Sequence, residues 1–354
     1  MNNATAQCGP TRRSLLGAAV AGVALAAGAA GTAAAAPDRR EWESFRVRFV
    51  LPDGRIVDTG NHGISHTEGQ GWGLLFAVTF DDERSFDLIL DWTAKHLRRP
   101  HDALHAWKFD PAAKDPVGDR NNATDGDLFI ALALARAARR WGRPDHHVGA
   151  AAIAQDILRL LVRVSGGRTL LLPGVQGFET KDAVVVNPSY YAFPALGEVA
   201  LLAESPLWAS VQRDGLALIN EGRFGRWMLP PDWLRVAAKD GSLKPAGGWP
   251  PRFSYDAVRV PLYLSWARMT PPPVAEAFTA YWSQHLPVPP AWIDLDDGSV
   301  SPYPAPPGML AVRQLAAGAP AAADFPTVMA APDYYSAALT LLARIAWSES
   351  RPAI

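Results

Sequence analysis

Residues 128–141 read Leu-Phe-Ile-Ala-Leu-Ala-Leu-Ala-Arg-Ala-Ala-Arg-Arg-Trp, preceded by Asp125 and Asp127 and followed by Gly142 and Pro144. Acidic residues ahead of an apolar run and Gly or Pro behind it are helix start and stop signals, and Ala and Leu are strong helix formers. Working outward, the same grammar predicts helices at 69–80, 86–97, 148–164, 191–203, 206–219, 231–237, 257–269, 274–286, 307–315 and 334–347. Strand-like stretches are short: 45–50, 169–172 and 184–186. They do not alternate with the helices as a parallel sheet requires, so an all-α fold is expected. The proline-rich loop at 287–307 has similar helical segments on both sides and divides nothing. A single domain of helical hairpins over 37–354 follows. Its helix-pair spacing suits a closed ring or solenoid, although no sequence repeat is detectable.

The 354-residue chain is 49% apolar, enough to bury a core and to exclude a disordered chain. A net charge of −1 excludes a general nucleic-acid binder, which needs a surplus of Lys and Arg. Thr11-Arg12-Arg13-Ser14-Leu15-Leu16, an Ala/Gly-rich apolar run and Ala33-Ala34-Ala35-Ala36 read together as a twin-arginine signal peptide over 1–36, cut near Ala36. The competing reading is a membrane anchor, for which the run falls short of the roughly 20 apolar residues a span wants. Export implies a periplasmic or secreted protein. Cys8 is the sole cysteine and leaves with the signal, which removes disulfides, thiolate nucleophiles and Cys-ligated zinc from the mature chain.

Three stretches place carboxylates in loops or at helix starts beside Gly and aromatic residues: 66–73 with Glu68, 121–127 with Asp125 and Asp127, and 254–259 with Asp256. Each has a plain structural role. Glu68 and Asp127 suit helix N-termini, where a carboxylate meets free N–H groups and the positive end of the dipole. Asp256 suits an i,i+3 pair with Arg259.

Glu68-Gly-Gln-Gly-Trp-Gly73, Ala123-Thr-Asp-Gly-Asp127 with Ile130-Ala131 and Trp141 downstream, Asn187-Pro-Ser-Tyr190 and Tyr255-Asp-Ala-Val-Arg259 occur in the order seen in glycoside hydrolase family eight. The chain resembles that family from about Trp42 to Trp347, and most of all the periplasmic cellulases encoded beside bacterial cellulose synthases. Further support comes from Trp42-Glu-Ser-Phe45, Asp53-Gly-Arg-Ile-Val-Asp58, Ile89-Leu-Asp-Trp-Thr93 and Tyr334-Tyr335. The resemblance implies an (α/α)6 barrel and an endo-β-1,4-glucanase that cuts cellulose chains with inversion, without metal or organic cofactor. It implies Glu68 as general acid, Asp256 as general base, Asp125 as the carboxylate holding the distorted sugar, Tyr190 as a phenol fixing the water and Arg259 as the residue orienting the base.

Trp107 aligns with an aromatic sugar platform, and Trp72, Tyr255, Tyr334 and Tyr335 are further candidates for the cleft, because a pyranose stacks its apolar face on a flat ring. Thr67 stands where relatives usually carry Ser, and Trp72 where Tyr is common. A monomer is expected, with β-1,4-glucan as ligand and a cellulose synthase complex as a further partner. Xylan, chitosan or a mixed-linkage glucan are alternative substrates. A catalytically silent glycan-binding protein is a third reading, opposed by the intact trio of Glu68, Asp125 and Asp256.

Other constellations carry less. His62 with His66 and His101 with His105 are spaced i,i+4 but lack a His-Glu-x-x-His pattern, so loop roles are expected and no metal. Asp294-Leu-Asp296-Asp297-Gly298 reads as a turn, being one residue short of a calcium loop. No nucleophile elbow, Walker loop or dinucleotide fingerprint is present.

Overall fold

The structure is a computed structural model that describes residues 38–319 and 321–350. The expected signal peptide at 1–36, with Cys8, Arg12 and Arg13, lies outside them. Among the described residues no helix is long and apolar enough to cross a membrane.

Local side-chain chemistry starts many of the helices. Asp38, Asp82, Ser205 and Asp333 each accept a backbone N–H at the first turn of α1 (Arg39–Phe49), α3 (Glu83–Leu97), α7 (Pro206–Glu221) and α11 (Tyr334–Glu349). His66 does the same for α2 (Thr67–Thr79). The others are α4 (Thr124–Trp141), α5 (Pro144–Leu161), α6 (Phe193–Val199), α8 (Arg259–Ala267), α9 (Pro272–Gln284) and α10 (Pro307–Ala316), each of which begins with Pro at or near the first position or ends on a left-handed residue.

Burial sorts these helices into two layers. Residues 69–78 of α2, 124–135 of α4 and 336–343 of α11 are buried without interruption, as is most of α8. Helices buried on every side line the interior of a larger fold. By contrast α3, α5, α7 and α9 bury one face and leave the other in solvent. The result is an (α/α)6 barrel of helical hairpins. The first and last described helices, α1 and α11, are joined by an aromatic cluster in which Phe45 packs against Phe76 at 5.1 Å and Tyr334 at 5.9 Å. Arg48 reinforces the seam by donating to the carbonyls of Val328 (2.8 Å) and Ala331 (2.6 Å).

Most helix expectations hold within a few residues, and two segments are exchanged. Residues 45–50, expected as a strand, lie mostly in α1, because Trp42, Phe45 and Phe49 recur at helical spacing and together meet the core. Residues 231–237, expected as a helix, contain the strand Leu234–Ala237, which pairs antiparallel with Ala183–Val186 and Leu243–Pro245. Two flanking strands satisfy the backbone of this short segment, and that long-range pairing outweighs its local preference. Other short pairings hold loops: Ser65–His66 with Lys108–Phe109, and Arg252–Phe253 with Ile293–Asp294.

Helices α2 and α4 meet backbone to backbone. A Cβ on Gly126 would lie 2.3 Å from Thr67 Oγ1 and 2.5 Å from Thr67 Cβ, and one on Gly71 would lie 2.9 Å from Phe129 Cβ. These two glycines therefore set how closely the starts of α2 and α4 approach. Gly126→Ala is expected to destabilise the protein by about 1–3 kcal/mol through overpacking, read as a lower urea midpoint, and to reduce activity as the two helix starts separate. An unchanged midpoint would show that the contact relaxes freely.

Candidate active site

The starts of the inner helices converge at one end of the barrel. Glu68 lies in the first turn of α2, Asp125 in the first turn of α4, and Arg259 opens α8. Asp256 sits in the turn just before α8, Tyr190 closes the short helical turn Pro188–Tyr190, and Tyr334 and Tyr335 begin α11. Helix N-termini present unpaired N–H groups and positive partial charge, which favours carboxylates gathered there.

One guanidinium joins three of them. Arg259, 2% exposed, donates through Nη1 to Glu68 and to Asp125 at 3.0 Å, and through Nη2 to Asp256 at 2.5 Å. Asp125 is buried beneath, whereas the side chains of Glu68 and Asp256 keep 15% and 30% of their surface exposed. The two outer carboxylates can therefore reach a ligand while the inner one and the arginine form the floor. Burial pushes Glu68 up to about 8, against the pull of Arg259 and with help from the Asp125 charge. Burial also raises Asp256, opposed by Arg259 and by the Asn187 amide beside it. Tyr190 is held well above the ordinary phenol range by burial and by the charges of Asp125 and Asp256, so it stays protonated. Its ring lies 5.7 Å from the Arg259 guanidinium.

The approach to Glu68 is held by backbone and by histidine. Thr67 N–H donates to the carbonyl of Trp107 at 3.0 Å, which brings the Trp107 segment alongside the acid. The Trp107 indole is partly exposed and donates to Asp119 at 2.8 Å. His66 Nδ1 accepts the Gly69 N–H at 3.1 Å, and its Nε2 faces Asp58 at 3.3 Å. His105 lies against Asp127 at 2.9 Å, and Asn122 donates to the same carboxylate at 3.0 Å. Asp127 thus ties the Trp107 loop to α4 instead of capping the helix, and His66 and His105 each turn a ring nitrogen to a different carboxylate. Among the described residues no cluster of His, Cys, Asp and Glu could hold a metal.

The other expected cleft residues divide. Tyr255 is exposed, Tyr335 is partly so, their rings lie 5.9 Å apart, and the Tyr335 hydroxyl donates to the Tyr255 carbonyl. Trp72 and Tyr334 are fully buried, a correction to their expected place on the cleft surface. Both point inward from helices that are buried on every side. Trp72 backs Tyr335 at 6.1 Å and Arg259 at 5.9 Å, and Tyr334 packs on His66 at 5.6 Å.

Sequence reasoning missed two groups. Asp232, half-buried, accepts the N–H groups of Ser254 and Ala257 on either side of Asp256. Trp233 stacks on Trp249 at 4.8 Å and on Phe178 at 5.7 Å, with Tyr190 at 6.2 Å, so an aromatic run leads away from the base. Among 13 Trp nothing local marks these two. A tryptophan beside an acid in a Pro-rich loop was the one available signal.

The model for "Glycosyl hydrolases family 8" matches residues 14–349. A curated protein of Novacetimonas hansenii named "Probable endoglucanase" is 49% identical over 89% of this chain and 92% of its own. An endoglucanase of Cellulomonas uda is 42% identical over 79% of this chain and 77% of its own. Among solved structures, the endo-beta-1,4-glucanase CMCax from Acetobacter xylinum superimposes with a TM-score of 0.84 at 49% identity, covering 88% of this chain and 98% of that one. The chain belongs to glycosyl hydrolase family 8. It is a glycoside hydrolase.

Removing Arg259 leaves three neighbouring carboxyls without their cation. Arg259→Ala is expected to cost about 3–5 kcal/mol of stability at pH 8. The loss should shrink toward pH 5. Without the arginine the folded-state pKa values of Glu68 and Asp256 rise above their already raised parental ones, so the penalty grows as pH climbs from the parental folded values toward those of the variant and is relieved when the carboxyls take up protons. Urea titrations at both pH values test this, and a pH-independent loss would contradict it.

Proposed function

We propose that the chain is an endo-acting β-1,4-glucanase that hydrolyses cellulose chains in one inverting displacement, with Glu68 as general acid and Asp256 as general base. Glu68 gives its proton to the glycosidic oxygen as the bond from that oxygen to the anomeric carbon breaks. Asp256 takes a proton from the water whose oxygen bonds to the same carbon from the opposite face. Asp125 and Tyr190 hold the sugar and the water, and Arg259 orients the base. Trp107, Tyr255 and Tyr335 offer ring faces to neighbouring sugars.

The observation that carries this reading is the placement of Glu68 and Asp256 on separate arms of one buried guanidinium. Two carboxyls raised by burial and held down by the same cation then coexist at one cleft, and Glu68, raised to about 8, is suited to hold a proton near neutral pH. The endoglucanase names of relatives at 49% and 42% identity support the substrate class. We further propose twin-arginine export with cleavage near Ala36, a periplasmic or secreted single catalytic domain over 37–354, and service to a bacterial cellulose synthase.

Activity on carboxymethylcellulose, xylan, chitosan and mixed-linkage glucan, followed as reducing ends, tests the substrate. Proton NMR of the first-formed anomer tests the stereochemistry, where retention would overturn the single displacement. Because the acid works protonated, kcat/KM should fall as pH rises through about 8. Glu68→Gln should remove that limb along with about 10²-fold or more of the activity. Activity within threefold of the parent would return Glu68 to a capping role.

Chain length gives a separate check. If several sugars are bound to distort the central one, kcat/KM should rise steeply from cellotriose to cellohexaose. Trp107→Ala should flatten that rise, costing about 1–3 kcal/mol of transition-state binding if the sugar contact resembles other buried aromatic contacts. Release of single sugars without length dependence would replace the endo-acting reading with an exo-acting pocket.

A further inference from the structure

We propose that Asp232 is a positioning residue for the general base, holding the turn that carries Asp256 through two backbone hydrogen bonds to one carboxyl oxygen. This deepens the reading above and rests on the assignment of Asp256.

The argument begins with the backbone groups around Asp256. Within the turn, the carbonyls of Ser254, Asp256 and Ala257 are taken by the N–H groups of Val258 (3.0 Å), Arg259 (3.1 Å) and Val260 (3.0 Å), which lead into α8. The N–H groups of Ser254 and Ala257 point the other way, and both residues are buried. Asp232 Oδ1 accepts both, at 3.1 Å and 2.8 Å. A buried N–H without an acceptor is costly, so the turn keeps this shape only while Asp232 is present. The Asp232 backbone is fixed in turn: its N–H donates to the Arg252 carbonyl at 2.7 Å, and two residues later begins the strand Leu234–Ala237, which pairs on both edges. The carboxyl therefore connects the lead-in of a paired strand to the two residues that bracket the base.

The identity of the group matters as well as its place. Arg259 grips the Asp256 side chain and ties it to Glu68 and Asp125 on α2 and α4, but it leaves the N–H groups of Ser254 and Ala257 unanswered. Asp232, more than twenty residues upstream, supplies the acceptor for both and so fixes the backbone of the turn. Burial and the nearby Asp256 charge push Asp232 up to about 8, so near neutral pH it holds a proton and adds no second negative charge beside the base. A neutral acceptor of the same shape should therefore serve, and Asn supplies one.

The test compares Asp232→Ala with Asp232→Asn in the full enzyme at pH 6.5, using cellohexaose. Misplacement of a catalytic group by about 1 Å costs on the order of 10²-fold. Asp232→Ala should lose about that factor in kcat with KM within threefold of the parent, since the sugar platforms are untouched. Asp232→Asn should keep kcat within about fivefold. Should the alanine variant not melt cooperatively, Asp232→Ser takes its place with the same expected loss, its hydroxyl being one bond too short to reach both amides.

Parental kcat in Asp232→Ala or Asp232→Ser would overturn the proposal. So would a folded Asp232→Asn as inactive as the alanine variant, which would mean that the ionisable group itself is needed. Asp256→Asn is measured in parallel to keep the two readings apart. Near-parental activity there would overturn the base assignment, and this proposal with it. An inactive Asp256→Asn beside an active Asp232→Ala would overturn this proposal alone.

Discussion

A single buried guanidinium, that of Arg259, holds the active end of this barrel together. Three carboxylates from three separate stretches of chain meet on it. Without a cation at that point, gathering Glu68, Asp125 and Asp256 would be strongly unfavourable. With it, the site tolerates charge in a place that burial would otherwise neutralise. Glu68 still rises, because burial outweighs the arginine, and that imbalance suits a group that must hold a proton.

The barrel supports this arrangement by directing the starts of its inner helices to one end. The N-termini of α2 and α4 each bring a carboxylate, α8 brings the arginine, and α11 brings paired tyrosines. Close approach of α2 and α4 at Gly71 and Gly126 sets the distance between the first two. The short strands matter more than their size suggests. Those beside Trp107 and Asp232 turn loops into fixed walls around an otherwise helical site.

Much of this was readable along the chain. Helices announced by acidic starts, Ala/Leu-rich interiors and Gly or Pro stops were found with little shift, because capping and propensity act over a few residues. The segments that failed did so where long-range contact overrides local preference. Phe45-Arg46-Val47-Arg48-Phe49 alternates like a strand, yet Trp42, Phe45 and Phe49 share a helical face that the core requires. Trp72 and Tyr334 were expected at the cleft because they are aromatic and lie beside motif residues. Both are sealed behind it, since neighbours in sequence on a helix point in different directions.

The amino-acid order by itself determined the all-α class, the helix boundaries to within a few residues, and the acidic motifs at Glu68, Asp125 and Asp256. Hydrophobic period, capping and residue chemistry are local properties, and they survive without knowledge of the fold. Tertiary structure alone decided that one arginine touches all three acids, that Asp127 serves the Trp107 loop, and that Asp232 supports the turn of Asp256 from more than twenty residues away. It alone placed Trp233, Trp249 and Phe178 in one stacked run. Such contacts join groups far apart in the chain, and their partners are chosen by helix packing and strand register, which no local pattern encodes.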